Sequence, residues 1–355
     1  MASAKYHRIL LKVGGESLAG PQGFGIDPDQ AEGLANKIKS VREYGVEVVL
    51  VGRREAIAPE LAKFDTTGLT LPVVHASEVI EMDEHPALVA RAKKDSSMVV
   101  GMKMVRHGEA DAFVTMGNSG GALAVALFHL GRLRGIKRPA LSSVFPTVKG
   151  PAFLIDIGAN TDCKPEYLLQ FAVMGSVYAE RVLGIANPRV GIVSNGEEEG
   201  KGNFLVRDTV PLLKASGLNF IGNVEGKDVP AGLADVVVTD GFTGNILVKT
   251  SEGVAAMILE VLEREIKARR TAMVGALLAK PAFRAVKQTL DYSEYGGGVL
   301  LGVNGVVIVG HGRSNAKAVA SAVRVARVAV EGKVLEAIRS GVQAAGGTAE
   351  EDEGN

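Results

Sequence analysis

Short apolar runs alternate along the chain with Gly/Asn/Asp-rich loops, and each loop leads into a longer stretch with apolar residues at helical spacing. Residues 111–116 precede Gly117-Asn118-Ser119-Gly120-Gly121 and a helical pattern over 122–130. Residues 234–239 precede Asp240-Gly241-Phe242-Thr243-Gly244-Asn245 and a helical pattern over 246–262. Residues 46–51 before Gly52, 153–157 before Gly158-Ala159-Asn160 and 190–193 before Ser194-Asn195-Gly196 read as further strands, and Pro165 opens a helix over 166–183. Parallel neighbours need crossover connections, and those crossovers cover both faces of the sheet. The pattern therefore predicts an α/β fold with a doubly wound, mostly parallel sheet and helices on both faces. Ligands in such sheets bind beyond the carboxyl ends of the strands, so the Gly/Asn loops are expected to share one edge.

Composition narrows the class. The 355 residues are 46% hydrophobic and 23% charged, an ordinary globular balance with length for one large domain or two lobes. The 40 basic and 40 acidic side chains cancel, so no overall field recruits nucleic acid and charge recognition must be local. A single cysteine, Cys163, leaves no intrachain disulfide framework and suits a reducing compartment. Lys5, His7 and Arg8 are followed by an apolar run, 9–11, far shorter than a signal peptide needs. No uncharged apolar stretch approaches the roughly 20 residues of a membrane span. A cytoplasmic chain is expected. Residues 344–355 have no apolar run and include Glu350, Glu351, Asp352 and Glu353, the composition of a disordered acidic tail.

Glycine lets a backbone approach a phosphate, and the first amides of a helix point outward without partners, so a Gly/Asn loop at a helix start suits an anion. The candidates are Gly117, Asn118 and Ser119 in one loop, Gly158 and Asn160 in a second, and Asp240, Gly241, Thr243 and Gly244 in a third; the same residue types also make plain turns. Lys201 stands between Glu197-Glu198-Glu199 and Gly202-Asn203 at a strand-to-helix junction. An ammonium there either binds phosphate beside exposed amides or pairs loosely with the glutamates in solvent. Lys93-Lys94-Asp95-Ser96-Ser97 poses the same choice. His75, at the end of the apolar run 71–74, is either a general base or anion donor or a structural hydrogen-bonding residue, and His311 in Gly310-His311-Gly312 is its counterpart. Neither has neighbouring ligands, so no metal site is expected. No Gly-x-Ser-x-Gly elbow and no complete Walker A loop is present, and Cys163 has no histidine near it in sequence, so covalent catalysis lacks a signature.

The stretch 264–290 is basic, with Arg264, Lys267, Arg269, Arg270, Lys280, Arg284 and Lys287 against Glu265. Met273, Val274, Leu277, Leu278, Phe283 and Val286 give it apolar surface, and Pro281 is expected to break it. Such a segment lies on an anionic membrane or grips an acidic partner; its other reading is a core-packing helical hairpin with a solvated basic face.

From about residue 46 to 328 the chain resembles the bacterial phosphate acyltransferases of phospholipid synthesis, the PlsX family. The resemblance rests on an ordered series: Val74-His75-Ala76-Ser77-Glu78-Val79-Ile80, Lys93-Lys94-Asp95-Ser96-Ser97, Asp156-Ile157-Gly158-Ala159-Asn160, Cys163-Lys164-Pro165-Glu166, Met174-Gly175-Ser176-Val177-Tyr178, Gly196-Glu197-Glu198-Glu199, Gly222-Asn223-Val224-Glu225-Gly226, Asp240 to Asn245, Ser293-Glu294-Tyr295-Gly296-Gly297 and Gly302-Val303-Asn304-Gly305. It implies an enzyme that moves a long-chain acyl group from acyl carrier protein to inorganic phosphate without a cofactor. The implied fold is that of the isocitrate and isopropylmalate dehydrogenases and phosphotransacetylase. It also implies a homodimer held peripherally at the inner face of the membrane through the basic segment, with Arg269, Arg270, Met273, Leu277 and Leu278 in contact. Lys201 and Asn245 stand where the family's phosphate-site lysine and loop asparagine are expected, and His75 joins them as a catalytic candidate. Phosphate already carries nucleophilic oxygens, so such an enzyme must chiefly hold it against the thioester and stabilise the oxyanion.

Residues 1–45 form an atypical N-terminal segment before an acyltransferase-like domain over 46–343, with a lobe boundary expected near 140–150. Within it, residues 5–37 resemble the opening of bacterial uridylate kinase, through Ile9-Leu10-Leu11-Lys12-Val13-Gly14-Gly15-Glu16-Ser17-Leu18-Ala19-Gly20 and Gly23-Phe24-Gly25-Ile26-Asp27-Pro28. That likeness implies a nucleoside monophosphate kinase with Lys12 at a nucleotide phosphate; the other reading of Lys12 is a decoration on an edge strand. Val51-Gly52-Arg53-Arg54-Glu55 stands where the kinase's next glycine-rich loop is expected. Leu11-Lys12-Val13-Gly14-Gly15-Glu16 replaces the acyltransferase opening Asp-Ala-Met-Gly-Gly-Asp, and Arg313 and Asn315 replace serine and aspartate. A third reading is a catalytically impaired homologue that docks carrier protein or membrane.

Overall fold

Apolar runs buried on both faces become interior strands, because each needs a hydrogen-bonded neighbour on either side and a cover above and below. Ala112–Met116 and Val306–Gly310 are buried at every position. The computed structural model describes residues 7–12, 45–63, 70–290, 296–312 and 314–345. Among them, β1 (His7–Lys12), β2 (Val46–Gly52), β3 (Val73–His75), β4 (Ala112–Met116), β5 (Ala140–Thr147), β6 (Gly150–Ile155), β7 (Val190–Val193), β8 (Phe220–Val224), β9 (Val236–Val238), β10 (Gly298–Leu301) and β11 (Val306–Gly310) build one sheet. Its order is β3-β2-β1-β4-β11-β10-β5-β6-β9-β7-β8. Among the described residues, helices lie between β2 and β3, between β3 and β4, and between the successive strands β6, β7, β8 and β9, as predicted.

The centre of the sheet departs from expectation. β10 is antiparallel to both β11 and β5, and β5 is antiparallel to β6. The set β3, β2, β1, β4, β11 therefore points one way and the set β6, β9, β7, β8 the other. The expectation of one shared loop edge is corrected: the Asn118 loop follows one set and the Asp156, Lys201 and Asp240 loops follow the other. The sets are nonetheless staggered. Ile155, the last residue of β6, is level with Ser142, Val299, Ile308 and Val114, so β6, running the opposite way, ends two residues past the level where β4 ends.

Side chains alternate across the sheet as strand geometry requires. Ile9, Leu11, Ala112 and Val114 join one buried cluster, which continues through Phe153, Ile155, Val236 and Val238 and so spans both sets. Leu10 and Phe113 point to the other face, with Met98, Met102 and Val125. Gly101 is required there, since a Cβ on it would stand 2.3 Å from the Phe113 ring. β1 lies between β2 and β4, so Lys12 ends an interior strand and not the edge strand considered above. Residues 13–44, which carry most of the kinase likeness, lie outside the described residues.

The basic stretch forms three consecutive helices, Gly241–Lys267, Arg270–Leu278 and Lys280–Leu290. The break falls at Ala279, and Pro281 lies inside the first turn of the last helix, where a missing N–H costs nothing. A further helix, Val334–Ala344, reaches the point where the tail was expected to begin; residues 346–355 lie outside the described residues.

Candidate functional site

The loop Asp240-Gly241-Phe242-Thr243-Gly244-Asn245 is a helix start closed by its own aspartate. Asp240 Oδ1 accepts from the amides of Phe242 and Thr243 at 3.0 and 2.9 Å, and its Oδ2 accepts from the Thr243 hydroxyl at 2.8 Å. This is an N-cap, and it occupies amides that an anion would otherwise use. The loop docks on the one after β6. The Gly241 amide donates to the Asn160 carbonyl at 2.6 Å, and Asn245 Nδ2 donates to the Ile157 carbonyl at 3.2 Å. Gly158, at φ 144°, brings its Cα under the Asn245 amide, where a Cβ would be 3.3 Å away.

Asp156 organises that second loop. It is wholly buried, and Oδ1 accepts from the amides of Leu141, Gly158 and Ala159 while Oδ2 accepts from the backbone and side-chain N–H groups of Asn160. Burial pushes its pKa up, and the donors around it oppose that shift. Asn160 Nδ2 also reaches the Pro139 carbonyl at 2.7 Å, so this asparagine is a loop staple.

Lys201 lies on the neighbouring loop after β7. Its amide donates to the Glu198 carbonyl, Asn195 Oδ1 accepts from the Gly202 amide, and Asn203 caps the helix Phe204–Ala215. Two of the three glutamates considered as its partners are taken elsewhere: Glu197 pairs with Lys227 and Glu199 with Lys214. Among the described residues no carboxylate lies within ion-pairing distance of the Lys201 ammonium, which is exposed. The Lys201 and Asp240 loops share a cavity of about 500 Å³. Ser194, Asn195, Gly202, Asn203, Asp240 and Thr243 form its polar side, and Leu168, Ile192 and Val206 contribute apolar lining.

The Asn118 loop approaches from the first strand set. Asn118 adopts a left-handed conformation, φ 54°; its Oδ1 caps the Gly121 amide at 2.7 Å and its Nδ2 donates to the Glu81 carbonyl at 2.8 Å. Both ends of the side chain are thus spent on loop structure. Ser119 and Gly120 meet Gly158 and Ala159 around a crevice of about 30 Å³. Gly117 packs within 3.3 Å of the Gly312 Cα, measured from an added Cβ, which places His311 at the same junction. His311 Nε2 is 3.8 Å from Glu252, on the helix Gly241–Lys267. Partial burial, then the Lys249 ammonium, hold the His311 pKa below the ordinary value, against the pull of Glu252, while half of the side chain meets solvent.

The structure does not bring His75 to this cluster. It ends β3, at the opposite edge of the sheet from β8, where Nδ1 accepts from the Arg54 amide at 3.3 Å. The two sequence motifs around it hold each other: Asp95 accepts from the Ser77 amide and hydroxyl, and the Asp95 amide donates to Glu78. Lys93 is bound to Glu84 and the Val79 carbonyl, both at 2.6 Å. Cys163 sits near the Asp240 cap with its thiol pushed up to about 12 by burial and by the carboxylates of Asp156 and Asp240, which suits an inert thiol. Asp156, Lys249 and Glu252, which the structure adds to this cluster, were not among the sequence candidates. An aspartate directly before Gly-Ala-Asn at a strand end is a signal for the first; the other two carry none locally.

Strand order and loop placement define an α/β protein built on one mixed sheet covered by helices. Solved structures share the fold: a phosphotransacetylase from Streptococcus pyogenes (TM-score 0.55, 16% identity, 94% of this chain and 95% of that one) and a branched-chain phosphotransacylase from Enterococcus faecalis (TM-score 0.52, 14% identity, 91% and 98%). The profile of the family described as "Fatty acid synthesis protein" matches residues 23–337, and the chain belongs to that family. Relatives named phosphate acyltransferase include those of Pelotomaculum thermopropionicum, 48% identical over 320 residues (90% of this chain, 93% of the relative), and Dictyoglomus turgidum, 47% identical over 321 residues (90% and 96%).

Proposed function

We propose that this chain is a phosphate acyltransferase that moves a long-chain acyl group from the thioester of acyl carrier protein to inorganic phosphate. The observation that carries the reading is the shared cavity: the loop that holds Lys201 and the Asp240 loop line one space, and Asn245, on the helix start that Asp240 caps, donates to the Ile157 carbonyl. A phosphate oxygen attacks the thioester carbonyl carbon, the carbon–sulfur bond breaks, and the thiolate leaves and takes up a proton, giving acyl phosphate and carrier thiol. Lys201 supplies the charge that holds phosphate, and Asn245 supplies an amide donor to the phosphate or the developing oxyanion. Thr243 lines that cavity, and Gly241, Gly244, Gly158, Asn160 and the Gly117-Asn118-Ser119 loop are the further phosphate- and substrate-binding candidates.

The protein acts at the inner face of the membrane as a homodimer. Support for surface contact comes from Met273, Leu277 and Leu278, which are 52%, 70% and 80% exposed beside Arg269 and Arg270. No helix among the described residues is long and apolar enough to cross a membrane. Exposed Val254, Met257, Ile258 and Val261 on the helix Gly241–Lys267 offer a surface for a second copy.

The test is acyl-phosphate formation by the purified protein with acyl carrier protein thioester and phosphate. Lys201→Ala and Asn245→Ala, with folding checked, are each expected to lose on the order of 10²–10³-fold in turnover. Near-normal turnover in both sinks the site assignment. ADP release from ATP and UMP, without thiol release from the carrier, sinks the acyltransferase reading in favour of the kinase.

A further inference from the structure

We propose that Asp156 is the positioning residue of this site, acting on Asn245 and on the Gly241 turn through the loop it holds. The proposal rests on the acyltransferase reading for its kinetic part alone. The carboxylate touches no solvent and gathers five N–H donors, from Leu141, Gly158, Ala159 and twice from Asn160. A buried carboxylate with that many donors fixes the path of the backbone around it, because each donor left unmatched would cost free energy. What the path presents are two carbonyls. The Ile157 carbonyl takes the Asn245 side chain, and the Asn160 carbonyl takes the Gly241 amide.

The link is tight at a third point. A Cβ on Gly244 would stand 1.9 Å from the Asp156 carbonyl oxygen, so the catalytic helix start lies directly on the Asp156 backbone. The Leu141 donor ties the same carboxylate to β5, the strand through which the two strand sets join. Asp156 therefore registers the Asn245 amide against the rigid centre of the sheet. The arrangement is asymmetric: Oδ2 meets two donors of Asn160, and an amide NH₂ in its place would face them donor to donor.

The experiment is a double-mutant cycle between Asp156→Asn and Asn245→Ala, read in acyl-phosphate formation, with backbone hydrogen exchange on the same proteins. Asp156→Asn alone is expected to lower kcat by about 100-fold, the scale of a misplaced reacting group, with less than about a threefold change in KM for the carrier thioester. In the Asn245→Ala background the same change is expected to cost under about threefold more, since its target is already gone. Exchange protection of the Gly241 amide is expected to fall at least about tenfold while Val236–Val238 keep theirs. Asn160→Ala, which removes one donor and leaves the carboxylate, is expected to show smaller losses of the same kind and decides the matter if Asp156→Asn does not fold. Fully multiplicative kinetics, or unchanged Gly241 protection, overturns the proposal. A wild-type protein that makes no acyl phosphate overturns the function instead, and the Gly241 measurement still judges Asp156.

Discussion

Gly244 and Asp156 are in backbone contact: no side chain, not even a methyl group, fits between the Gly244 Cα and the Asp156 carbonyl oxygen. Two loops separated along the chain by three helices and three strands are thereby locked face to face. Ala is normally the better helix residue by about 1 kcal/mol, so an exposed Gly→Ala change inside a helix stabilises. Gly244→Ala is expected to do the reverse, lowering stability by about 1–3 kcal/mol through overpacking and lowering turnover with it. Urea unfolding checks the sign, and a stabilised variant refutes the contact.

His311 reports whether the two strand sets stay in apposition. Its loop follows β11, while Lys249 and Glu252 belong to the helix after β9. Burial and Lys249 lower its pKa and Glu252 raises it. The imidazole of the wild-type protein is expected to titrate below the ordinary 6.5, with Lys249→Met moving the midpoint up and Glu252→Gln moving it down. NMR titration of the ring reads both. A midpoint indifferent to Lys249 would place the helix elsewhere.

Arg189 grips Asp235 with a two-pronged guanidinium contact of 2.8 and 2.9 Å, and its own amide adds a third bond to the same carboxylate. These residues precede β7 and β9, so the pair sets the start of two adjacent parallel strands. Hydrogen bonds from Arg189 hold the Asp235 carboxyl below its ordinary value. The folded pKa is depressed, so the stabilisation is present above the unfolded value of 3.8 and is lost as pH falls through the folded one. The Tm difference between wild type and Asp235→Asn is expected to be full near neutrality and to shrink below about pH 3.8. A gap that widens on acidification contradicts the pair.

Arg269→Glu with Arg270→Glu is expected to weaken binding to anionic vesicles by at least about tenfold, since each basic residue near such a surface contributes about 1 kcal/mol. Sedimentation with vesicles containing acidic phospholipid measures it, at low and high salt. Unchanged binding removes the membrane role from this segment.

Much of the fold was legible locally. Apolar runs ending in Gly, Asn or Asp marked β4, β7 and β9, and the helical pattern over 246–262 marked the helix whose first turn the Asp240 loop supplies. The reversal at the sheet centre was not, because it depends on β5 pairing with β10, whose residues lie far along the chain. β5 alternates in burial along most of its length and Asn304-Gly305 stands between β10 and β11 as hairpin residues do, yet only pairing shows which way a strand runs. The site divides in the same manner. The Asp240 loop was legible as the lead-in to a helix. Asp156 had a local signal in the Gly-Ala-Asn that follows, but its Leu141 donor belongs to another strand and was not legible, and a histidine at a strand end, such as His75, carries the same local signal wherever the strand sits in the sheet.

The place of β11 beside β4 has a consequence for how the protein is made. β4 is complete once residue 116 has been synthesised, but one of its two flanking strands is formed by residues 306–310. A ribosome emits the chain from the amino end, so the first strand set waits with an open apolar edge while the second set, β6 to β9, has all its own strands by residue 238. The later-encoded half is thus free to assemble first, and the earlier-encoded half closes on a strand that arrives near the end of translation.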